Sequence, residues 1–271
     1  MNDDTDWIEI ADRVFTRRYP FLDQQIGLVL GDGEALVVDT RASPAHAREL
    51  LADIARVTPL PVRIVVDTHW HWDHVFGNSE FPLADIWGHR RCRTHLLEHG
   101  EEERLETIKS MPSLEADLRT MTVVAPDRVF DDLVTIEVGG RRVELRHLGR
   151  GHTDADVIAI VPDAGVLFAG DLLENDATPW FGDGYPLDWP GTVERLLDLV
   201  AGPVVPGHGS LGDRAFAEAQ LADFQTVAAA ARALDAGELD RQAAIAAMPY
   251  PDAVAEGPLD RALAQLRGEL D

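Results

Sequence analysis

The stretch of residues 67–78 constrains the fold and the chemistry of this chain more than any other, and it reads Asp-Thr-His-Trp-His-Trp-Asp-His-Val-Phe-Gly-Asn. It follows an apolar, β-branched run at 62–66, which predicts a buried strand, and Gly77 marks the loop after it. Four residues with metal-binding side chains occupy six positions of this loop: His69, His71, Asp73 and His74.

The spacing of these four residues favours a metal site over a polar loop. His69 and His71 are two apart, whereas a helix would place residues four apart on one face, so a turn with converging side chains is indicated. Asp73 and His74 are neighbours that point in different directions and could serve a second ion. Imidazole and carboxylate together suit zinc, with iron and manganese as alternatives.

Composition and charge limit the class of protein. With 271 residues, 45% of them hydrophobic, the chain predicts a single domain spanning 1–271 with a sizeable core. The 48 acidic residues against 24 basic ones give a formal charge of -24, which argues against nucleic acid as a partner. An acidic start and no long apolar segment predict neither export nor a membrane span, and hence a cytoplasmic protein. The single cysteine, Cys92, excludes an intrachain disulfide and is interpreted as a half-buried structural thiol.

The rest of the chain predicts a mixed α and β protein. Strands are expected at 7–15, 25–30, 35–39, 85–88, 134–138, 141–148, 157–161, 166–169 and 204–205, and helices at 44–57 and 192–200. Residues 89–121 form a charged, helix-favouring insertion, a candidate lid in which His95 and His99 are interpreted as surface histidines. Residues 213–271 predict a helical extension in two or three pieces, broken near Gly237 and 249–257.

Three further ligand-type residues end other predicted strands, each beside a glycine: His152, Asp171 and His208. Loops that leave one edge of a sheet are where sites are usually assembled. The sequence therefore predicts seven ligands at four strand ends, arranged as two shells that share one carboxylate.

These motifs, His69-x-His71-x-Asp73-His74 with Gly151-His152, Gly170-Asp171 and Gly207-His208-Gly209, resemble those of the metallo-β-lactamase superfamily over residues 7 to 210. The resemblance implies a four-layer α/β/β/α sandwich. It also implies His69, His71 and His152 on a first metal, Asp73, His74 and His208 on a second, and Asp171 bridging both.

The resemblance further implies a hydrolase with two divalent metal ions, expected to be Zn²⁺, and a bridging hydroxide that attacks an ester-like carbonyl. Asp73 is the candidate catalytic residue, orienting the hydroxide or carrying a proton to the leaving group. Asp39, Asp67 and Thr68 are expected to support the ligands from outside the metal shell.

Departures from family patterns separate the alternatives. True β-lactamases of this superfamily usually carry cysteine or serine where this chain has Asp171, and they are exported, so an antibiotic-hydrolysing enzyme is disfavoured. A mononuclear-iron oxidoreductase of the persulfide dioxygenase type and a phosphodiesterase stay open. A glyoxalase II matches the motifs, but the tail after Gly209 lacks an evident basic cluster for an acidic thiol.

Aromatic residues near the motifs predict an apolar substrate pocket: Trp70, Trp72, Trp180, Phe181 and Tyr185. Such a pocket favours a small-molecule ester, lactone or thioester with a hydrophobic portion. A homodimer through the Ala-rich C-terminal helices is left open.

Overall fold

The computed structural model describes residues 6–270, and the strands of this part form one twelve-stranded mixed sheet. In chain order the strands are β1 (Ile8–Ala11), β2 (Val14–Tyr19), β3 (Gln24–Leu30), β4 (Ala35–Val38), β5 (Val62–Val66), β6 (Asp85–His89), β7 (Arg128–Phe130), β8 (Leu133–Val138), β9 (Arg141–His147), β10 (Val157–Val161), β11 (Val166–Glu174) and β12 (Val204–His208). The helices are α1 (Pro44–Val57), α2 (Trp72–Val75), α3 (Arg90–Ser110), α4 (Glu115–Leu118), α5 (Trp189–Leu197), α6 (Arg214–Asp235), α7 (Arg241–Ala246) and α8 (Asp252–Leu266).

The sheet consists of two halves that meet at one point. Its order is β7-β6-β5-β4-β3-β12-β11-β10-β9-β8, with the β1–β2 hairpin added on β3. Strands β4, β5, β6 and β7 run parallel to one another, as do β11 and β12, whereas β3 is antiparallel to β4 and to β12 and the hairpins are antiparallel. Between β3 and β12 the register pairs His208 with Gln24, so the junction of the halves lies at a predicted ligand.

Three apolar clusters show that the chain stacks in four layers. One cluster lies between the two halves of the sheet, with Leu36 and Phe168 among its members. A second packs α1 on the outer face of β3 to β6, and a third packs α5 to α8 on the outer face of β10 to β12. The expected α/β/β/α arrangement is confirmed, because each half buries one face on the other and the opposite face under helices.

Several elements agree with the sequence because their signals are local. Helix α1 begins at Pro44, and the hydroxyl of Ser43 caps it by accepting from the backbone N–H of His46 at 3.3 Å. Strand β5 occupies the run before the histidine loop.

Other elements differ from expectation because tertiary packing decides them. Strand β11 continues to Glu174, five residues past its predicted end at 169, paired with β12 through register shifts around Gly170. Gly257 does not interrupt the C-terminal extension but lies inside α8, where Leu259 and Leu263 are buried in the outer cluster. Cys92 is fully buried instead of half-buried, and this burial raises the pKa of its thiol.

No helix within residues 6–270 is both long and apolar enough to cross a membrane.

Candidate metal centre

The seven predicted ligands come together as two groups of side chains. The first group is His69, His71, His152 and Asp171, and the second is Asp73, His74 and His208. Within each group the candidate ligand atoms lie within 4.8 Å of one another. All of these side chains are buried except that of His208, which is partly exposed.

The backbone explains why four separate segments converge. His69 and His71 lie in the loop after β5, and Asp73 and His74 lie in the short helix α2 that this loop starts. His152 lies in the loop between β9 and β10, and His208 ends β12. Asp171 was expected after a strand but lies within β11, where Gly170 at φ +54° shifts the register against β12.

The first group has the donors of a tetrahedral cation site. Nδ1 of His71 lies 2.9 Å from Nε2 of His69 and 2.8 Å from Nε2 of His152, and Oδ2 of Asp171 is 3.4 Å from Nε2 of His152. Three imidazole nitrogens and a carboxylate oxygen facing one point match the donor set of zinc. Oδ1 of Asp171 is buried without a hydrogen-bond partner among the described residues, as expected of an atom that needs a cation.

The second group is built around carboxylates. Nε2 of His74 and Nε2 of His208 are 3.2 Å apart, and each lies 3.4 Å from Oδ2 of Asp73. Each also lies 3.3 Å from an oxygen of Asp171. Asp171 therefore stands between the two groups, in the position that a bridging ligand requires.

Hydrogen bonds behind the ligands orient four imidazoles towards the centre. Nδ1–H of His74 donates to Oδ2 of Asp39 at 2.8 Å, and Nδ1–H of His208 donates to the carbonyl of Leu22 at 2.7 Å. Each bond occupies Nδ1 and turns Nε2 towards the centre, where it would bind a metal ion.

The other two oriented histidines use different partners. The hydroxyl of Thr68 donates to Asp39 at 2.9 Å and accepts from Nδ1–H of His69 at 3.0 Å. Nε2–H of His71 donates to Asp183 at 3.2 Å, which leaves Nδ1 of that ring facing the centre.

Two of the three expected supporting residues, Asp39 and Thr68, form hydrogen bonds with metal-ligand candidates. The side chain of Asp67 forms its hydrogen bond with a different residue. Oδ2 of Asp67 accepts from the side-chain amide of Asn78 at 2.8 Å, and burial raises the pKa of Asp67 well above its usual value. Asp183 and the carbonyl of Leu22 were not singled out from the sequence, where residues 183–186 indicate only a turn.

Burial also sets the charge of two imidazoles. Desolvation lowers the pKa of His69 well below its usual value and lowers that of His152 to about 3. Both rings are therefore neutral at neutral pH, the form that binds a metal ion.

A cavity of about 580 Å³ opens over the two groups, and three of the predicted aromatic residues line it: Trp70, Trp72 and Trp180. Phe181 and Tyr185 are not among its lining residues. Phe181 is buried against Trp189 at a ring distance of 5.1 Å, and Tyr185 is buried with the guanidinium of Arg150 4.3 Å from its ring centre. Their positions do not support the predicted role in the pocket.

The insertion at 89–121 supplies one wall of this cavity through α3. His95 was interpreted as a surface histidine, but it lines the cavity, stacks on Trp70 at 3.7 Å between ring centres and bonds to Glu103. His99 is 53% exposed in its side chain, as expected of a surface residue. In the sequence, the spacing of eight residues between His95 and Glu103 within a helix was the available indication that the two side chains share one face of it.

Comparisons with known proteins agree with this geometry. The family model described as "Metallo-beta-lactamase superfamily" matches residues 19–208. The chain is 27% identical to a metallo-beta-lactamase type 2 of Bacillus cereus over 196 residues, which cover 69% of this chain and 68% of that protein. It is 22% identical to a hydroxyacylglutathione hydrolase of Erythrobacter litoralis, with 67% of this chain and 61% of that protein covered.

A solved structure with the same fold is the metallo-beta-lactamase from Pontibacter korlensis, with a TM-score of 0.67 at 23% identity. The match covers 81% of this chain and 98% of that structure. Because the family model spans well over half of the chain, the chain belongs to the metallo-beta-lactamase superfamily and is a metal-dependent hydrolase.

Proposed function

We propose that this protein hydrolyses an ester, lactone or thioester of a small molecule with two zinc ions held by the seven converging ligands. The observation that carries the proposal is the position of Asp171, within 3.4 Å of nitrogens from both ligand groups at the floor of one cavity. His69, His71 and His152 would hold the first ion, and Asp73, His74 and His208 the second.

Zinc bound by these residues would supply Lewis acidity and a water molecule that ionises near neutral pH. Asp73 lies at the cavity with its carboxylate oxygen 3.4 Å from two imidazoles of the second group. Its backbone carbonyl accepts from the side-chain amide of Gln24 at 2.5 Å, which fixes its place on α2. We assign Asp73 to orienting the attacking water and to carrying its proton to the leaving group.

The apolar lining and the size of the cavity together favour a small acyl substrate over a polymer. Trp70, Trp72 and Trp180 line the same cavity as the ligands, so the acyl portion of a substrate would lie against apolar faces. The cavity volume of about 580 Å³ suits a small molecule.

The first test is the metal content per chain, measured by inductively coupled plasma mass spectrometry on protein produced in metal-replete medium. We expect about two zinc ions per chain, fewer in Asp171→Ala, and no change in the control His99→Ala, whose histidine is exposed away from the centre. A single iron per chain would contradict the proposal and favour the oxidation of a thiol or persulfide.

A panel of acyl substrates completes the test. The zinc-loaded protein should hydrolyse esters, lactones or thioesters, and Asp73→Asn should lower kcat by at least about 100-fold because the carboxylate that would both bind the second ion and carry the proton is lost. Hydrolysis of phosphodiesters in preference to every acyl compound would instead point to the phosphodiesterase alternative.

A further inference from the structure

We propose that the substrate carries a protonated amine and that the cavity wall formed by α3 receives it. This inference rests on the proposed function and names the class of substrate for the same site.

The charge of the cavity lining is one-sided. Apart from the metal ligands, five carboxylate residues line the cavity: Asp23, Glu103, Glu106, Glu174 and Asp183. No lysine or arginine is among the described residues that line it. An anionic substrate would therefore meet no fixed positive charge outside the metal centre, whereas a cation would find several acceptors.

The carboxylates differ in whether the protein already compensates them. Asp23 forms an ion pair with Arg18, whereas Asp183 and Glu174 lie against imidazoles of the metal-ligand candidates, His71 at 3.2 Å and His152 at 3.8 Å. Glu103 and Glu106 lie on α3, and within residues 6–270 no lysine or arginine forms an ion pair with either. The acidic charge that faces neither an arginine nor a metal-ligand candidate is thus concentrated on the α3 wall, where Glu103 is paired only with His95.

One carboxylate oxygen of Glu103 is buried and lacks a hydrogen-bond donor. Its Oε1 accepts from Nε2–H of His95, but its Oε2 is buried and has no hydrogen-bond partner in the part of the chain that the structure describes. A buried carboxylate oxygen without a donor is unfavourable by about 1–3 kcal/mol or more, so such an atom in a cavity wall indicates a donor brought by a ligand.

Aromatic side chains line the same cavity as these carboxylates. Trp70 is only 7% exposed, lines the cavity and stacks on His95, and its indole N–H is also buried without a partner among the described residues. Trp180 is 52% exposed at the same cavity. Indole faces together with carboxylates are the chemistry that recognises ammonium groups.

The arrangement also places the cation away from the reacting atoms. Trp70 lies between His95, at 3.7 Å, and the ligand His71, at 4.3 Å between ring centres. An acyl carbonyl at the metal centre would thus have its charged end one indole away, against Glu103 and Glu106. The formal charge of -24 on the whole chain favours the approach of the same cations.

The test compares two amides of nearly equal shape that lack the reactive ester bond. N-(2-(dimethylamino)ethyl)acetamide, whose amine is protonated at neutral pH, and the uncharged N-(3-methylbutyl)acetamide are titrated into the zinc-loaded protein by calorimetry. We expect the ammonium compound to bind roughly tenfold more tightly. In the double variant Glu103→Gln with Glu106→Gln that preference should fall below about threefold, because the shape of the wall is kept and its charge is lost.

The matched control is Glu102→Gln, which removes a charge from an exposed position of α3 that does not line the cavity. The control should keep the preference. Equal binding of the two amides, tighter binding of the neutral one, or an equal loss of preference in the control would overturn the assignment of the wall.

The corresponding acetate esters separate this inference from the proposed function. Hydrolysis of both esters with the same KM would sink the substrate class and leave the hydrolase standing. A retained binding preference for the ammonium amide, with no ester hydrolysed, would sink the hydrolase and leave the cation-binding wall standing.

Discussion

At the scale of single residues, the metal centre depends on hydrogen bonds and close approaches that lie one step behind the ligands. Asp39 accepts hydrogen bonds from both His74 and Thr68. Its own backbone has φ +66°, in the left-handed region that residues other than glycine rarely adopt. Backbone strain of this kind persists where surrounding contacts hold the residue in place, and the two hydrogen bonds from Thr68 do so here.

Gly207 illustrates the second requirement, close approach. A Cβ atom at this position would lie 1.7 Å from Oδ1 of Asp171, far inside contact distance. We expect Gly207→Ala to displace Asp171 and to lower zinc content to about one ion per chain or less, because the carboxylate shared by both groups moves.

The control for Gly207→Ala is Gly257→Ala, where an added Cβ meets nothing within 4 Å inside α8. This change should leave zinc content intact and raise stability by up to about 1 kcal/mol, since alanine is the better helix former. Equal zinc content in the two variants would show that the approach of β12 to Asp171 is unimportant.

At the scale of elements, a buried ion pair joins α1 to β2. Asp53 of α1 accepts from the hydroxyl of Tyr19 at 2.8 Å and pairs with Arg17 at 3.1 Å. The side chains of Arg17 and Asp53 are only 9% and 5% exposed. This buried ion pair in the outer layer fixes the position of α1 on the half of the sheet that carries the histidine loop.

Removing one partner of this pair should be far more harmful than removing one hydrogen bond. We expect Asp53→Ala to lower the free energy of unfolding by about 3–5 kcal/mol, because buried Arg17 loses its close counter-charge and keeps only the exposed Asp6 at 3.9 Å. Tyr19→Phe keeps the ion pair and should cost about 1 kcal/mol. Urea unfolding followed by circular dichroism measures both, and similar losses for the two variants would contradict this account.

At the scale of the whole molecule, the four layers bring four separate segments of the chain to one place, and the chain as a whole is strongly acidic. The two sheet halves meet at the Gln24–His208 pair, so the ligands of both halves collect along this junction. The formal charge of -24 then acts on every molecule that approaches the cavity.

The surface charge predicts how salt changes the rate. For an anionic ester, kcat/KM should rise at least about threefold between roughly 20 mM and roughly 500 mM salt, because screening weakens the repulsion. An uncharged ester of the same length is the control and should change little. A parallel response of both esters would show that the overall field does not reach the site.

The sequence by itself determined what is local in this protein. Hydrophobic runs, Ser43-Pro44 and the His-x-His-x-Asp-His spacing depend on neighbours in the chain, so α1, β5 and four of the seven candidate ligands could be predicted from residues 43–78 alone. The family resemblance supplied the layer order, which periodicity does not contain.

Only the tertiary structure decided what depends on distant segments. The extension of β11 around Asp171, the bond from His208 to Leu22, the buried place of Phe181 and the entry of His95 and Glu103 into the cavity wall all arise from packing between segments far apart in sequence. The sequence specifies side chains, but the distance between two side chains on different elements is set by how the layers stack, and that is where the cavity obtains its shape and charge.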